Sequence, residues 1–106
     1  MSKLDEILSY NDRPVITVDV PEWGEAGKGL TFREPDAATS MKIAKSATGE
    51  DGKVDELELV VKTIIEASVE PKFQPGHIEA LKLKSEVALT RIFKAIKSKK
   101  NELLKS

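Results

Sequence analysis

The residue types that could carry chemistry in this chain are few and scattered. The 106 residues include no cysteine and a single histidine, His77, so disulfides, thiolate catalysis and cysteine-based zinc sites are excluded. Acid–base catalysis by histidine requires an orienting partner and a nucleophile, whereas His77 follows Pro75-Gly76 at the expected start of a helix. We therefore expect His77 to be an exposed residue of a first helical turn, and we expect no enzymatic activity.

A glycine-rich segment contains the Gly-Lys pair found in phosphate-binding loops, and it runs from Gly24 to Gly29. Those loops require Ser or Thr after the lysine and a helix whose N-terminal amides face the phosphate. In this chain Gly29 follows Lys28, and a strand pattern comes next. The segment is therefore predicted to be a flexible loop of a β-hairpin and not a nucleotide or cofactor site.

Four carboxylates lie close together in the sequence: Glu50, Asp51, Asp55 and Glu56. A calcium loop requires acids at alternating positions, a central glycine and a distant glutamate, and Asp51-Gly52 alone does not meet that pattern. We expect these acids to form a turn and to stabilise the N-terminus of the following helix, where the helix dipole favours negative charge. No metal site is predicted.

The C-terminus is rich in lysine, at positions Lys94, Lys97, Lys99, Lys100 and Lys105. Nucleic-acid binding favours arginine and interleaved aromatic residues, and neither is interleaved among these lysines. The pattern is more typical of a solvated helix end whose cations suit the helix dipole. A small nucleic-acid-associated or regulatory module that uses this segment is the alternative function.

Trp23 is the only tryptophan, and it stands beside the glycine-rich segment. A tryptophan at the edge of a loop can anchor a protein interface. It can equally cap the core of its own domain. Because no catalytic constellation is present, protein binding is the favoured class of function, with both interpretations of Trp23 open.

Composition indicates one folded domain spanning residues 1–106, with 40% apolar and 33% charged residues. Residues 1–56 carry 7 Lys and Arg against 12 Asp and Glu, whereas residues 57–106 carry 10 against 6. This asymmetry indicates either two halves that face each other or association with an oppositely charged partner. No apolar run reaches the roughly 20 residues that cross a bilayer, and the acidic start is unlike a secretory signal, so a cytoplasmic location is expected.

The N-terminal third predicts a β-hairpin region, residues 13–33, after a short helix over Leu4–Ser9. Alternating β-branched residues indicate a strand over Pro14–Val20, and Leu30–Arg33 indicates a second one. Because two strands alone are marginal in water, the hairpin must pack on helices or pair with another chain.

Residues 36–104 predict three or four helices. Asp36–Ala47 is expected to bury Ala37, Met41, Ala44 and Ala47 and to end at Gly49. Val54–Ser68 shows the strongest helical period, through Leu57, Val60, Val61, Ile64 and Ile65. A loop is expected over Val69–Gly76, and the spacing leaves open whether Ile78–Ile96 is one helix or two, with Ser85 as the N-cap of a second. The predicted fold is α+β and mostly helical, with a small N-terminal hairpin packed against three or four C-terminal helices.

Several segments together resemble a known family. They are Val20–Gly24, Ile43–Thr48, Asp51–Leu57, Leu59–Phe73 and Ile92–Ile96. In this order they are similar to the small tail assembly chaperones of tailed bacteriophages and prophages, in particular the XkdN-like group, which is analogous to the lambda-type G tail chaperone. The stretch Ile64–Phe73 carries most of the resemblance, which covers about residues 13–96.

The resemblance implies a chaperone in the bacterial cytoplasm that binds the tape-measure protein before the tail tube polymerises around it. It further implies contact of a longer, frameshifted form with the tail-tube protein, and absence from the finished virion. Self-association is also expected. The helices over 54–68 and 85–97 could form a groove for a helical client. As protein-binding residues we predict Trp23, Phe73, Ile92 and Phe93, each of which could equally belong to the core.

Overall fold

The structure is a computed structural model that describes residues 2–105, with side-chain surroundings given as far as Ser98. Five α-helices and three short strands follow one another along this part of the chain: α1 (Lys3–Ser9), β1 (Ile16–Val18), β2 (Leu30–Phe32), α2 (Ala37–Ser46), α3 (Glu56–Ala67), β3 (Ser68–Glu70), α4 (Ile78–Lys82) and α5 (Glu86–Lys105). Two 3-10 helices lie between them, over Pro21–Gly27 and Pro75–His77. The predicted α+β, mostly helical fold is confirmed.

The sheet contains the predicted hairpin and one further strand. Its order is β1-β2-β3, all antiparallel, with Val18 opposite Leu30 and Thr31 opposite Glu70. The sequence placed residues 68–70 at a helix end and in a loop, which was wrong. Ser68 explains the change of direction, because its hydroxyl donates to the Ile65 carbonyl and accepts from the Phe73 amide at 2.9 Å. Three residues are too short a run to show the alternation of a strand.

Helix α3 is the central helix of the fold. It begins at Asp55, whose carboxylate accepts from the Glu58 amide and so satisfies an unpaired helix donor. The predicted apolar face is buried through Val61, Ile64 and Ile65. Leu57 departs from that prediction, because it lies in the first helical turn with 44% of its surface exposed.

Helix α2 buries a different face from the one predicted. Asp36 caps its N-terminus through the Thr39 amide at 2.7 Å. Ile43, which was not predicted, is buried, and of the predicted face only Ala47 is buried, whereas Ala37, Met41 and Ala44 are exposed. The helix ends at Ser46, and Gly49 lies beyond it in a turn where its amide donates to the Lys53 carbonyl.

The C-terminal segment forms two helices, which answers the question that spacing left open. Helix α4 ends at Lys82, and Ser85 begins α5 by accepting from the Ala88 amide at 3.3 Å. Leu81 of α4 and Ala88, Leu89, Ile92 and Ile96 of α5 are all buried.

The hydrophobic core lies between the sheet and the packed pair α3 and α5. Its largest fully enclosed side chains come from both the hairpin and the helices: Phe32, Val20, Val61, Ile64, Ile92 and Ile96. Burying each large aliphatic or aromatic side chain stabilises the fold by about 1.5–3 kcal/mol. The core therefore joins the N-terminal hairpin to the C-terminal helices.

Helix α1 stands apart from this core. Ser2 caps it by accepting from the Asp5 amide, and none of its residues is buried. Leu4, Ile7 and Leu8 lie on one side and are 63%, 64% and 75% exposed. In the described part of the chain, no helix combines the length and apolar character needed to cross a bilayer.

Candidate protein-binding surface

His77 has a local structural role. It ends the 3-10 helix over Pro75–His77, and its Nδ1 accepts a hydrogen bond from the Gln74 amide at 3.0 Å. The imidazole also meets the Phe73 ring edge-on, with ring centres 6.4 Å apart. As expected, the residue is exposed in the turn that leads into α4.

The four clustered carboxylates shape the backbone around the start of α3. Asp51 accepts from the Lys53 amide at 3.0 Å, and Gly52 takes the positive φ of 80° that this turn requires. Asp55 is the helix cap already described. Among the described residues, no three or more His, Asp or Glu side chains converge as metal ligands would.

The connection between β1 and β2, where a flexible hairpin loop was predicted, contains 3-10 structure over Pro21–Gly27 that is kinked at Gly24, whose φ is 62°. Gly27 is buried, and its carbonyl accepts from the Val20 amide at 2.7 Å. A β-carbon on Gly27 would lie only 2.1 Å from the Val20 carbonyl oxygen, so the close backbone contact requires glycine. The Gly29 amide donates to the Asp19 carboxylate. These amides stabilise the connection between β1 and β2.

An ion pair fixes this connection on α5. Arg91 donates both terminal nitrogens to the Glu22 carboxylate, Nη2 to Oε2 at 2.9 Å and Nη1 to Oε1. This bidentate geometry suits an arginine–carboxylate pair. The hydrogen bonds from Arg91 lower the pKa of Glu22 and raise the pKa of Arg91. The pair therefore positions the segment that carries Trp23.

Two of the predicted contact residues line a single cleft. The Trp23 cleft encloses about 490 Å³ and is lined by Glu22, Trp23, Ala26, Leu30, Pro71, Phe73, Leu81 and Lys84. Trp23 and Phe73 are half-buried, with one side packed on the core. Both interpretations of Trp23 therefore hold in part, because its ring contacts the core and also forms a wall of the cleft.

A second hollow lies where α3, α4 and α5 meet. The α3–α5 groove has a volume of about 410 Å³ and is lined by Glu56, Leu57, Val60, Lys82, Lys84, Glu86, Leu89 and Thr90. The predicted groove between the third and last helices is thus present near their N-terminal ends. Further along, α3 and α5 pack directly against each other.

A charge network holds one rim of this groove in place. Glu58 accepts from Lys62 at 2.8 Å and from Lys82 at 2.6 Å, so α3 is connected to α4. Hydrogen bonds from Lys62 and then Lys82 lower the pKa of Glu58 to about 2. The bond to Glu58 correspondingly raises the pKa of Lys82.

The two hollows are neighbours, because Lys84 lines both of them. Lys84 belongs to the turn between α4 and α5, which also carries Leu83, a leucine with 88% of its surface exposed. Within residues 2–98, no carboxylate forms an ion pair with Lys84. We call the Trp23 cleft, the α3–α5 groove and this turn the binding surface.

The remaining two predicted contact residues lie elsewhere. Ile92 is 0% exposed and belongs to the core, so in this fold it stabilises the protein and is not presented to a partner. Phe93 is half-buried, and the Lys97 ammonium lies 5.6 Å from its ring centre. It lines neither of the two hollows of the binding surface. Exposed Leu83 and Leu57 were not predicted, and only the turn and helix geometry identifies them.

The lysine-rich C-terminus is described in part. Lys94 is exposed on α5, and Lys97 is half-buried against Phe93. Lys99, Lys100 and Lys105 lie outside the residues whose side chains are described.

Comparison of the chain with protein-family models, with curated proteins and with solved structures gives no match.

Proposed function

We propose that this chain is a non-catalytic chaperone that covers apolar helical stripes of another protein. The observation that supports this proposal is the binding surface, where Trp23 and Phe73 line the Trp23 cleft, exposed Leu57 lines the α3–α5 groove, and exposed Leu83 lies in the turn next to Lys84, which lines both. Exposed apolar side chains that adjoin clefts are typical of protein interaction sites. The resemblance of residues 13–96 to tail assembly chaperones supplies the class of client, the tape-measure protein of a tailed phage or prophage.

A long helical client fits the shape and composition of this surface. An amphipathic helix binds a groove through apolar side chains at helical spacing, and half-buried aromatic residues commonly provide most of the binding energy. Trp23 and Phe73 are the proposed anchors, and Leu83, next to Lys84 in the turn between α4 and α5, is a third proposed contact. Before the tail tube encloses it, a tape-measure chain would expose such stripes and aggregate.

The same proposal places the protein in the cytoplasm of the bacterial host and outside the mature virion. Contact with the tail-tube protein belongs to it as well, through a longer form of the chain.

Co-expression with the tape-measure protein, which the proposal expects to be encoded beside this chain, tests the proposal. We expect the client to become soluble and to co-purify with the chain. Leu83→Ser and Phe73→Ala should each reduce capture by about tenfold, the size expected for an interface anchor. Met41→Ser is the matched control, because Met41 is exposed on α2 outside the binding surface. The melting temperature of each variant should confirm that the fold is retained.

Two results would contradict the proposal. One is a client that stays insoluble and unbound, and the other is an equal loss of capture in Met41→Ser. Retention of the chain on DNA or RNA that falls steeply with salt would instead favour the alternative, a nucleic-acid-associated module acting through Lys94 and its neighbours.

A further inference from the structure

Helix α1 is an amphipathic helix without a partner. Leu4, Ile7 and Leu8 form one stripe, and Lys3 and Asp5 lie on its two sides by the geometry of an α-helix. A helix of 7 residues, none of them buried, is marginal in water. It therefore gains stability wherever that stripe becomes buried.

The Trp23 cleft matches this helix in both polarity and charge. Six of its eight lining residues are apolar, and the two charged ones are Glu22 and Lys84. A segment with Leu4, Ile7 and Leu8 in the cleft would bring a cation, Lys3, and an anion, Asp5, to its rims. Lys84 has no carboxylate partner among the described residues, so Asp5 supplies the charge that its surroundings lack.

In the structure, α1 does not lie in the cleft of its own molecule, since none of its residues is buried and none lines the cleft. Arg13 donates to the Glu34 carbonyl at 3.1 Å, beyond the Ile16–Phe32 end of the hairpin. Trp23 follows the opposite end, where Val18 pairs with Leu30. The connection between α1 and Arg13, residues 10–12, spans at most about 10 Å, so the end of α1 stays within that reach of Arg13.

We propose that α1 of one copy docks in the Trp23 cleft of a second copy, with Leu4, Ile7 and Leu8 against Trp23 and Phe73 and with Asp5 paired to Lys84. Reciprocal exchange of the two helices gives a symmetric dimer. Helix α1 of the second copy then covers part of the binding surface, so that dimerisation and client binding compete. Only this competition rests on the proposed function; the docking is a property of the chain alone.

Trp23 provides the measurement, because it is the only tryptophan of the chain and lies in the cleft. Sedimentation equilibrium and tryptophan emission are recorded on the full chain over a range of concentrations. Dimer formation should rise with concentration and should shift Trp23 emission to shorter wavelength. The triple variant L4S/I7S/L8S should lose both changes, and circular dichroism should confirm that its body stays folded, since α1 contributes nothing to the core.

A charge exchange tests the docking geometry. Asp5→Lys and Lys84→Glu should each weaken dimerisation by about two- to fivefold, the range for an exposed ion pair, and the double variant should restore it. Lys42→Glu is the control, because Lys42 lines a separate hollow between α2 and α3, and it should leave dimerisation unchanged.

Three results would overturn the proposal. The first is a chain that stays monomeric at all concentrations, and the second is an emission shift that does not depend on concentration, as docking within one molecule would give. The third is a dimer whose strength the α1 and Lys84 variants leave unchanged. None of these measurements includes a client, so their failure is separable from failure of the proposed function.

Discussion

Helices α1 and α3 each carry an apolar stripe, but only the stripe of α3 is buried. In α3, Val61, Ile64 and Ile65 are enclosed by α5 and the sheet, whereas Leu4, Ile7 and Leu8 of α1 all face solvent. A helical period shows which side of a helix is apolar and does not show what covers it. The difference separates the residues that maintain this fold from those available to a partner.

The largest expected effect is in the enclosed stripe. Ile64→Ala removes a side chain that is 0% exposed, and deletion of this size in a core lowers the free energy of unfolding by about 2–5 kcal/mol. Chemical denaturation followed by circular dichroism measures the loss. A loss below about 1 kcal/mol would show that the α3 stripe is less tightly packed than the structure has it.

Two glycines differ in the same way, because Gly27 is closely surrounded by other atoms and Gly76 is not. Gly27→Ala should lower the free energy of unfolding by about 1–3 kcal/mol, as overpacking does, because its β-carbon would press on the Val20 carbonyl. Gly76→Ala is the control, since no atom lies within 4 Å of a β-carbon at that position. Thermal unfolding of the two variants compares them. Equal melting temperatures would contradict the close contact at Gly27.

The polar side of α3 predicts a dependence on pH. The pKa of Glu58 lies at about 2 in the folded chain against an ordinary value of 4.5, so its stabilising contribution is complete above pH 4.5 and is lost as the pH falls towards 2. The network is partly exposed, which limits the contribution to about 1 kcal/mol.

In Glu58→Gln, the free energy of unfolding should fall less steeply as the pH is lowered from 4.5 towards 2, which denaturation at successive pH values measures. Glu6→Gln on α1 is the control, because Glu6 forms no ion pair with any described residue. If the two variants lost stability equally as the pH fell, the Lys62–Glu58–Lys82 network would contribute nothing to stability.

The smallest effect is expected in the exposed stripe. Leu8→Ala, measured on dilute protein, should change the free energy of unfolding by no more than about 0.5 kcal/mol, as for ordinary surface sites. Leu8 is 75% exposed and contacts no core residue. A loss comparable to that of Ile64→Ala would mean that α1 packs on its own body, which would also contradict the proposed exchange between copies.

Local patterns were sufficient for the helices with strong signals and for the hairpin. The sequence placed helices over Asp36–Ala47 and Val54–Ser68 from their apolar residues and the acids near their starts, and in the structure Asp36 and Asp55 cap α2 and α3. Alternation identified β1 and β2, but β3 has only 3 residues and follows α3 without a break, so no periodic signal distinguished it. The Ser68 hydroxyl donates to the Ile65 carbonyl and accepts from the Phe73 amide, and these bonds turn the chain from α3 into β3.

The candidate site could be predicted less completely. Trp23 and Phe73 were identified as conspicuous aromatic residues, and the fold brings them to one cleft although 50 positions separate them in the sequence. Ile92 has the same type and spacing as a contact residue but is enclosed by the core. The sequence did not indicate that Leu83 would be exposed, because its exposure depends on α4 ending at Lys82.

By itself the sequence indicated most of the helices and the β-hairpin, because alternation and helical period act between neighbours in the chain, but it did not indicate β3. It also determined that cysteine chemistry is absent. Only the tertiary structure decided which apolar side chains are enclosed and which remain on the surface. Burial depends on what packs opposite a residue: Ile92 is enclosed by segments distant in the sequence, whereas Leu83 is exposed in the turn that follows the end of α4.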